Sequence, residues 1–341
     1  MSFARAILIS CAVLAAALVL SVAVGPIYIP PGTILSLLVG RIDALAVPQE
    51  TVDTFSTILF EIRLPHALLI LLTGAALAGS GASYQGLFRN PLADPYLIGV
   101  ASGAGLGAVI AMSIRWPGDL FGLYVIPAAA FAGALATVLI VYSLARYGKS
   151  LPTTTLILAG VAISSFATSL TSFLMLRSNE ELRRATGWLL GGSLMSGWQP
   201  VVAVLPYVVV GLAILISSGH ALNVLQFGEE QASQMGLSAE RVKFLLILAA
   251  SLTAASAVAF SGIIGFIGLI VPHLVRLLWG ADYRRLIPLS IISGGSALLI
   301  ADLLSRVVLK PQILPVGIVT ALAGAPFFLW VLRRAKNQGY W

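Results

Sequence analysis

Residues 7–25 read ILISCAVLAAALVLSVAVG, a stretch without one charged side chain. A helix rises about 1.5 Å per residue, so about 20 apolar residues cross a hydrocarbon core of about 30 Å. The run has the length and composition of a bilayer span. Leu8-Ile9-Ser10-Cys11 superficially matches a lipoprotein cleavage box. Only about six apolar residues precede the cysteine, however, whereas a signal core needs about 7–15. Cys11 is therefore read as a small apolar residue facing lipid or a neighbouring helix. As the only cysteine, it leaves no disulfide framework and no Cys/His metal spacing.

Nine further runs of similar character follow, at about 57–80, 93–114, 121–144, 152–176, 199–218, 242–260, 263–279, 286–306 and 312–332. The reading is an all-α membrane protein of ten transmembrane helices, forming a single transmembrane domain over residues 1–341. Bulk composition agrees. Of 341 residues 59% are hydrophobic and 10% are charged, against about 25% charged in soluble domains. The mean hydropathy is +0.99. Lipid must replace water around most of such a chain. A net charge of +7 could point to nucleic acid, but the basic residues stand singly between apolar runs, without stripe or aromatic interleaving. Nucleic acid is excluded as a partner and the bilayer takes its place. The eighth run is short and glycine-rich, which predicts a broken or partly re-entrant helix.

Loop charge sets the orientation. With both termini cytoplasmic, the inner segments carry Arg5, Arg89, Arg146, Lys149, Arg241, Lys243, Arg276, Arg284, Arg285, Arg333, Arg334 and Lys336, 12 of the 20 basic residues. The outer segments hold Arg41, Arg63, Arg115, Arg177, Arg183, Arg184, Arg306 and Lys310. Cations concentrate on the cytoplasmic side of membrane proteins, so both ends are expected inside. Gly99, Gly103 and Gly107 repeat every four residues, the spacing that lets helix backbones touch in lipid. Leu72-Thr73, Ser80-Gly81 and Pro91 are echoed by Leu252-Thr253, Ser261-Gly262 and Pro272, in segments expected to run in opposite directions.

Catalytic patterns fail. Gly148-Lys149-Ser150 resembles the end of a phosphate loop, but Ser143 stands where the first glycine is required. Any ATP must be hydrolysed on another chain. His66, His220 and His273 have no ligand spacing, so neither a metal site nor a cofactor is expected. Asp302 lies inside an apolar run, four residues before Arg306, the spacing of an intrahelical ion pair. A proton-coupled secondary transporter, working without an ATPase, is the alternative class that Asp302 keeps open.

Three stretches carry a resemblance. The first is Arg63-Leu64-Pro65, then Gly74 to Gly81, then Arg89-Asn90-Pro91-Leu92-Ala93-Asp94-Pro95. The second is Gly228-Glu229-Glu230-Gln231-Ala232 with Met235-Gly236-Leu237-Ser238. The third is Gly265 to His273, with Leu314-Pro315-Val316-Gly317 and Gly324-Ala325-Pro326. Together they resemble the permease family of bacterial and archaeal ABC importers for iron–siderophore complexes, haem and cobalamin. The resemblance spans nearly the whole chain. It implies a non-catalytic subunit in the cytoplasmic membrane, paired as a homodimer or with a close paralogue. Its further partners would be two cytoplasmic ATPase subunits and an extracytoplasmic substrate-binding protein. Ferric siderophore is the expected cargo, with cobalamin and haem as alternatives.

The resemblance also implies site residues. Glu229, Glu230, Gly236 and Leu237 fall in the segment that couples to the ATPase, which on composition alone reads as a solvated loop helix. Asn90 and Leu92 approach the cytoplasmic mouth of the pathway, where Pro91 also stops a helix. Thr153 and Thr154 match the cytoplasmic gate, and their hydroxyls also suit helix capping. Arg63 and Arg306 match arginines that dock the binding protein. His66 replaces the arginine often found in the second basic place. The residue chemistry alone offers Arg63 interfacial snorkelling beside Glu61 and Arg306 its pairing with Asp302.

Overall fold

A computed structural model of the chain describes residues 3–25, 27–40, 49–114, 119–148, 151–176, 179–192 and 195–337. Arg41, Arg115, Lys149, Ser150 and Arg177, which entered the charge and motif readings, lie outside these. The regular elements among the described residues are helices: α1 (Phe3–Ala23), α2 (Pro31–Val39), α3 (Gln49–Thr57), α4 (Leu64–Leu87), α5 (Val100–Met112), α6 (Asp119–Ala145), α7 (Thr153–Met175), α8 (Asn179–Leu189), α9 (Trp198–Ser217), α10 (Gly219–Leu225), α11 (Glu229–Gln234), α12 (Ala239–Ser261), α13 (Ile267–Trp279), α14 (Tyr283–Val307) and α15 (Val316–Asn337). A π-helical turn at Ile58–Arg63 joins α3 to α4, and a 3-10 turn at Pro95–Ile98 leads into α5.

Among the described residues seven helical stretches are long and apolar enough to cross a membrane: α1, the continuous Thr51–Leu87, most of α6, and α7, α9, α12 and α14. Three shorter apolar helices lie at Val100–Met112, Ile267–Trp279 and Val316–Val331. These ten positions correspond to the ten apolar runs, but length and composition qualify only seven of them. The second run, expected at 57–80, continues as α4 to Leu87. Its last turns hold Ser80, Ser83, Tyr84 and Gln85, all buried against other helices, so low hydropathy there does not end the helix. The eighth run is broken as expected. Gly262 (φ 76) and Phe266 (φ 70) bracket a non-helical stretch before α13. A carbonyl of this stretch is met by protein, for the Tyr96 hydroxyl donates to Ile264 O at 2.9 Å. Non-helical backbone at membrane depth needs such internal partners.

α4 is the centre of the bundle. It runs antiparallel to α12, since Ser80 Oγ donates to Ala250 O and the Tyr84 hydroxyl donates to Ile247 O. These are the two segments that share the sequence echo. Close approach depends on glycine. A Cβ on Gly81 would overlap the backbone of Gly268, and one on Gly74 would overlap Gly294. The glycine stripe on α5 packs as its spacing predicts, with Gly103 against Gly133 and Thr137 and Gly107 against Ala129 of α6. Phe3 lies beneath the Arg285 guanidinium at the start of α14. Gly317, opening α15, donates its N–H to Leu190 O at the opposite end. α1 therefore begins, and α15 ends, at the same end of the bundle, as the orientation requires.

Candidate functional site

The end of the bundle that holds the start of α1 also gathers the C-terminus of α4, the α10–α11 hairpin and the starts of α7, α12 and α14. Here α4 stops. Asn90 Oδ1 accepts from Leu92 N at 2.9 Å, an Asx turn that settles the chain before Pro95. Asn90 is exposed and Leu92 half-buried. Gln226, just beyond α10, donates to Gly86 O at 2.9 Å and so fastens the hairpin to the last turn of α4.

α11 is short, and glycines shape both of its ends. Gly228 enters at φ 109 and Gly236 leaves at φ 82. The N–H of Gly236 bonds to Ser233 O and that of Leu237 to Ala232 O. That pair of bonds is a Schellman closure, which wants glycine at the left-handed position. The hairpin presents Glu230, Phe227 and Met235 outward, the last two 66% and 64% exposed. No atom lies within 4 Å of where a Gly236 side chain would begin. Leu237 packs against the core only in part, at the edge where the turn leads back toward α12.

Glu229 reaches toward α12 while staying half-exposed. Its Oε2 lies 2.6 Å from Lys243 Nζ on α12. Lys243 also pairs with Glu240 at 3.2 Å and donates to Leu151 O at 3.1 Å. Lys243 was legible in the sequence only as one more loop cation, although Glu240 three residues earlier signalled an i,i+3 pair. Beside this cluster a cleft of about 620 Å³ opens between Arg146, Glu229, Glu230, Ser238 and Arg241.

Thr153 and Thr154 open α7 at this same end. The capping expectation is corrected: Pro152 occupies the N-cap position and neither hydroxyl closes a cap hydrogen bond. Thr153 is half-buried and Thr154 exposed. Asp282 does cap, accepting from Arg284 N at 3.1 Å at the start of α14. Burial disfavours its charge, but hydrogen bonds from Asn223 and Arg284 and the Arg284 cation outweigh that. The carboxyl is held below its ordinary range.

At the opposite end the three expected docking residues are found together, engaged within the fold. Arg63 is 7% exposed, and its guanidinium donates to Val22 O at 2.7 Å, Ala23 O at 3.0 Å and Ile27 O. It lies buried beneath the end of α1, which corrects the snorkelling expectation. The last carbonyls of a helix lack internal partners, and this cation supplies them. Arg306 donates to Ser21 Oγ at 2.9 Å and to Val24 O at 3.2 Å, so a second arginine holds the same helix end. Its ion pair with Asp302, expected from spacing, stands at 2.8 Å. His66 completes the group through Nε2, 2.9 Å from Asp302 Oδ1. The His66–Asp302 contact spans the sequence from α4 to α14 and was invisible to spacing. His66, Asp302 and Arg306 line a cavity of about 420 Å³ with Gly191, Met195 and Pro315.

Among the described residues no group of three His, Cys, Asp or Glu side chains is placed to hold a metal. The geometry is that of a packed helical bundle with a polar hairpin at one end and an ionic cluster at the other.

Comparisons with known proteins agree on one class. The profile of the FecCD transport family matches residues 13–334. The chain is 40% identical over 327 residues to the uncharacterised ABC transporter permease YvrB of Bacillus subtilis, covering 96% of this chain and 92% of the relative. It is 47% identical over 281 residues to the cobalamin import permease BtuC of Halobacterium salinarum, covering 82% and 74%. It is 40% identical over 296 residues to the hemin transport permease HmuU of Yersinia pestis, covering 85% and 87%. A solved metal-chelate-type ABC transporter in an inward-facing conformation superposes with a TM-score of 0.82 at 29% identity, over 97% of this chain and 99% of the other. This multi-pass membrane protein belongs to the FecCD transport family, the permeases of ABC importers for metal chelates.

Proposed function

We propose that the chain is the ten-span permease subunit of a binding-protein-dependent importer in the cytoplasmic membrane. It works as a homodimer, or beside a close paralogue, with two cytoplasmic ATPase subunits and an extracytoplasmic binding protein. Both termini and the α10–α11 hairpin face the cytoplasm. Ferric siderophore is the cargo. Cobalamin and haem are the competing cargoes, and relatives named for cobalamin, hemin and Fe(3+) dicitrate keep all three metal chelates in view.

The observation that carries the reading is the hairpin itself. A chain with 10% charged residues places two glutamates, exposed Phe227 and Met235, and an open glycine turn on one protruding segment. Exposed apolar groups rimmed by charge suit a protein partner better than water. Glu229, Glu230, Gly236 and Leu237 form the ATPase contact. Asn90, Leu92, Thr153 and Thr154 surround the cytoplasmic gate. The outward hydroxyls of Ser165, Ser169 and Ser172 bond to carbonyls of their own helix. Together with exposed Thr154 they give α7 a polar face, which suits a wet path between two copies better than lipid. At the opposite mouth His66 and Arg306 on the cavity wall receive the binding protein, and Arg63 behind them supports that surface by holding the end of α1.

Gly236→Trp tests the reading, because the new side chain begins in open space. The variant should insert normally but fail to retain the ATPase in a pull-down, and proteoliposomes should lose ATP-driven uptake of the chelate bound by the partner binding protein. If the folded variant loses the ATPase and still concentrates that chelate, the protein is a secondary transporter.

A further inference from the structure

We propose that Lys243 is a positioning residue that transmits displacement of α11 to the gate-bearing start of α7. The inference deepens the permease reading and rests on it. Lys243 is 4% exposed, a cation sealed inside the hairpin end of the bundle. A buried charge is tolerated only while its partners stay in place, and removing one of them is strongly destabilising. The partners of Lys243 come from three separate segments. Glu229 Oε2, at 2.6 Å, belongs to α11. Glu240 Oε1, at 3.2 Å, belongs to the first turn of α12. Leu151 O, at 3.1 Å, belongs to the lead-in to α7, two residues before Thr153.

The connection to Leu151 is double. Its carbonyl accepts from Lys243, and its N–H donates to Glu240 Oε1 at 3.4 Å. Both backbone groups of Leu151, just ahead of the gate helix, are thus held by one Lys–Glu pair. The third member of the cluster, Glu229, sits on the segment assigned to the ATPase. When a partner moves α11, Glu229 cannot leave Lys243 without stranding a buried cation. Lys243 follows, and Leu151 must follow or exchange its bonds. Two discrete arrangements of one ionic cluster are the kind of element through which distant sites couple. Apolar packing at position 243 would allow α11 to slide without this consequence.

The test uses the permease purified with its own ATPase and reconstituted into proteoliposomes. Thr154→Cys, on a Cys11→Ser background, reports the gate through its rate of maleimide labelling, with and without ATP plus vanadate. In this parent the nucleotide should change the labelling rate. Lys243→Met should keep the ATPase bound and hydrolysing while losing the labelling change. Lys243→Arg, which preserves the cation, should restore it. A purely structural lysine would lower the melting temperature but leave the nucleotide response of the introduced thiol intact. Should Lys243→Met fail to fold, Glu240→Gln weakens the same cluster at its exposed edge and should diminish the response with the ATPase retained. A response in Lys243→Met, or in Glu240→Gln, equal to that of the parent overturns the inference alone. A parent complex that holds the ATPase but shows no response overturns the gate placement and this inference with it. A parent that retains no ATPase overturns the permease reading itself.

Discussion

Arg63 illustrates how far a residue's role can sit from its chemistry in the sequence. An arginine next to Glu61 at the edge of an apolar run reads as an interfacial cation. In the fold it reaches back about forty positions to hold the carbonyls of Val22 and Ala23. Hydrogen bonds to a charged group contribute about 1.5–3 kcal/mol each, and an unpartnered buried carbonyl costs a similar amount. Arg63→Ala should therefore destabilise the packing of α1 by about 2–3 kcal/mol, read as a lower melting temperature in detergent and faster proteolysis near Gly25. Arg63→Lys should recover only part, because an ammonium lacks the planar fork that serves several carbonyls at once. Wild-type stability in Arg63→Ala would remove this role. Asp282 supports a pH prediction with a definite sign. Its folded-state pKa lies below the ordinary value, so its contribution is present above the unfolded pKa of about 3.9 and is lost as pH falls through the folded value. Asp282→Asn should lower the melting temperature at pH 7, and the difference from wild type should shrink toward zero in strong acid. A pH-independent difference would mean that the charge contributes nothing at the cap.

Between elements, the glycines divide into two kinds that the sequence alone does not separate. Gly81 is needed because α13 lies against it, where a Cβ would overlap the Gly268 backbone. Gly236 is needed for its φ of 82, with open space around it. The first should be intolerant and the second merely strained. Gly81→Ala forces α4 and α13 apart, and overpacking of this kind costs about 1–3 kcal/mol. Gly236→Ala bears only the strain of a left-handed backbone, about 1 kcal/mol. Thermal unfolding of the two variants in parallel checks the contrast, and equal loss at both positions would refute it. The Gly99, Gly103 and Gly107 stripe was legible because small residues at period four let helices pack closely in lipid, and α6 supplies the partner. The stop of α4 was legible from Pro91, but hydropathy closed the span at residue 80, seven residues short of Leu87. Its last turns are polar and buried, and hydropathy registers polarity without knowing burial.

For the whole molecule, the assignment of function to a permease rather than an enzyme has a direct consequence. The isolated chain should hydrolyse no ATP, because Gly148-Lys149-Ser150 lacks the first glycine of a phosphate loop and the proposed reading assigns hydrolysis to a separate ATPase subunit. Turnover by a preparation freed of ATPase subunits would overturn that division of labour. The same scale explains how Asp302 reads differently in sequence and in structure. A membrane carboxylate keeps a proton-coupled mechanism open, yet this one is 2% exposed and engaged by His66 from α4 and Arg306 from its own helix. A closed cluster of that kind fits an architectural and docking role at the cavity wall better than an open proton relay.

The sequence by itself determined the solvent, the helical class, the family and most of the positions of the spans. These follow from properties additive along the chain: apolar length, charge content, glycine spacing and contiguous motifs. It also marked the hairpin at Gly228–Ser238, because a polar turn among apolar runs stands out locally. Only the tertiary structure decided which charges are structural and which are presented outward. Glu229 turns inward to Lys243 while its neighbour Glu230 faces out, and Arg63 is buried at the end of α1. Partners such as His66 and Asp302, or Lys243 and Leu151, are separated by 236 and 92 positions. Local chain properties carry no record of such pairings, which arise when antiparallel helices bring distant ends together and burial makes each unmatched charge too costly to leave alone.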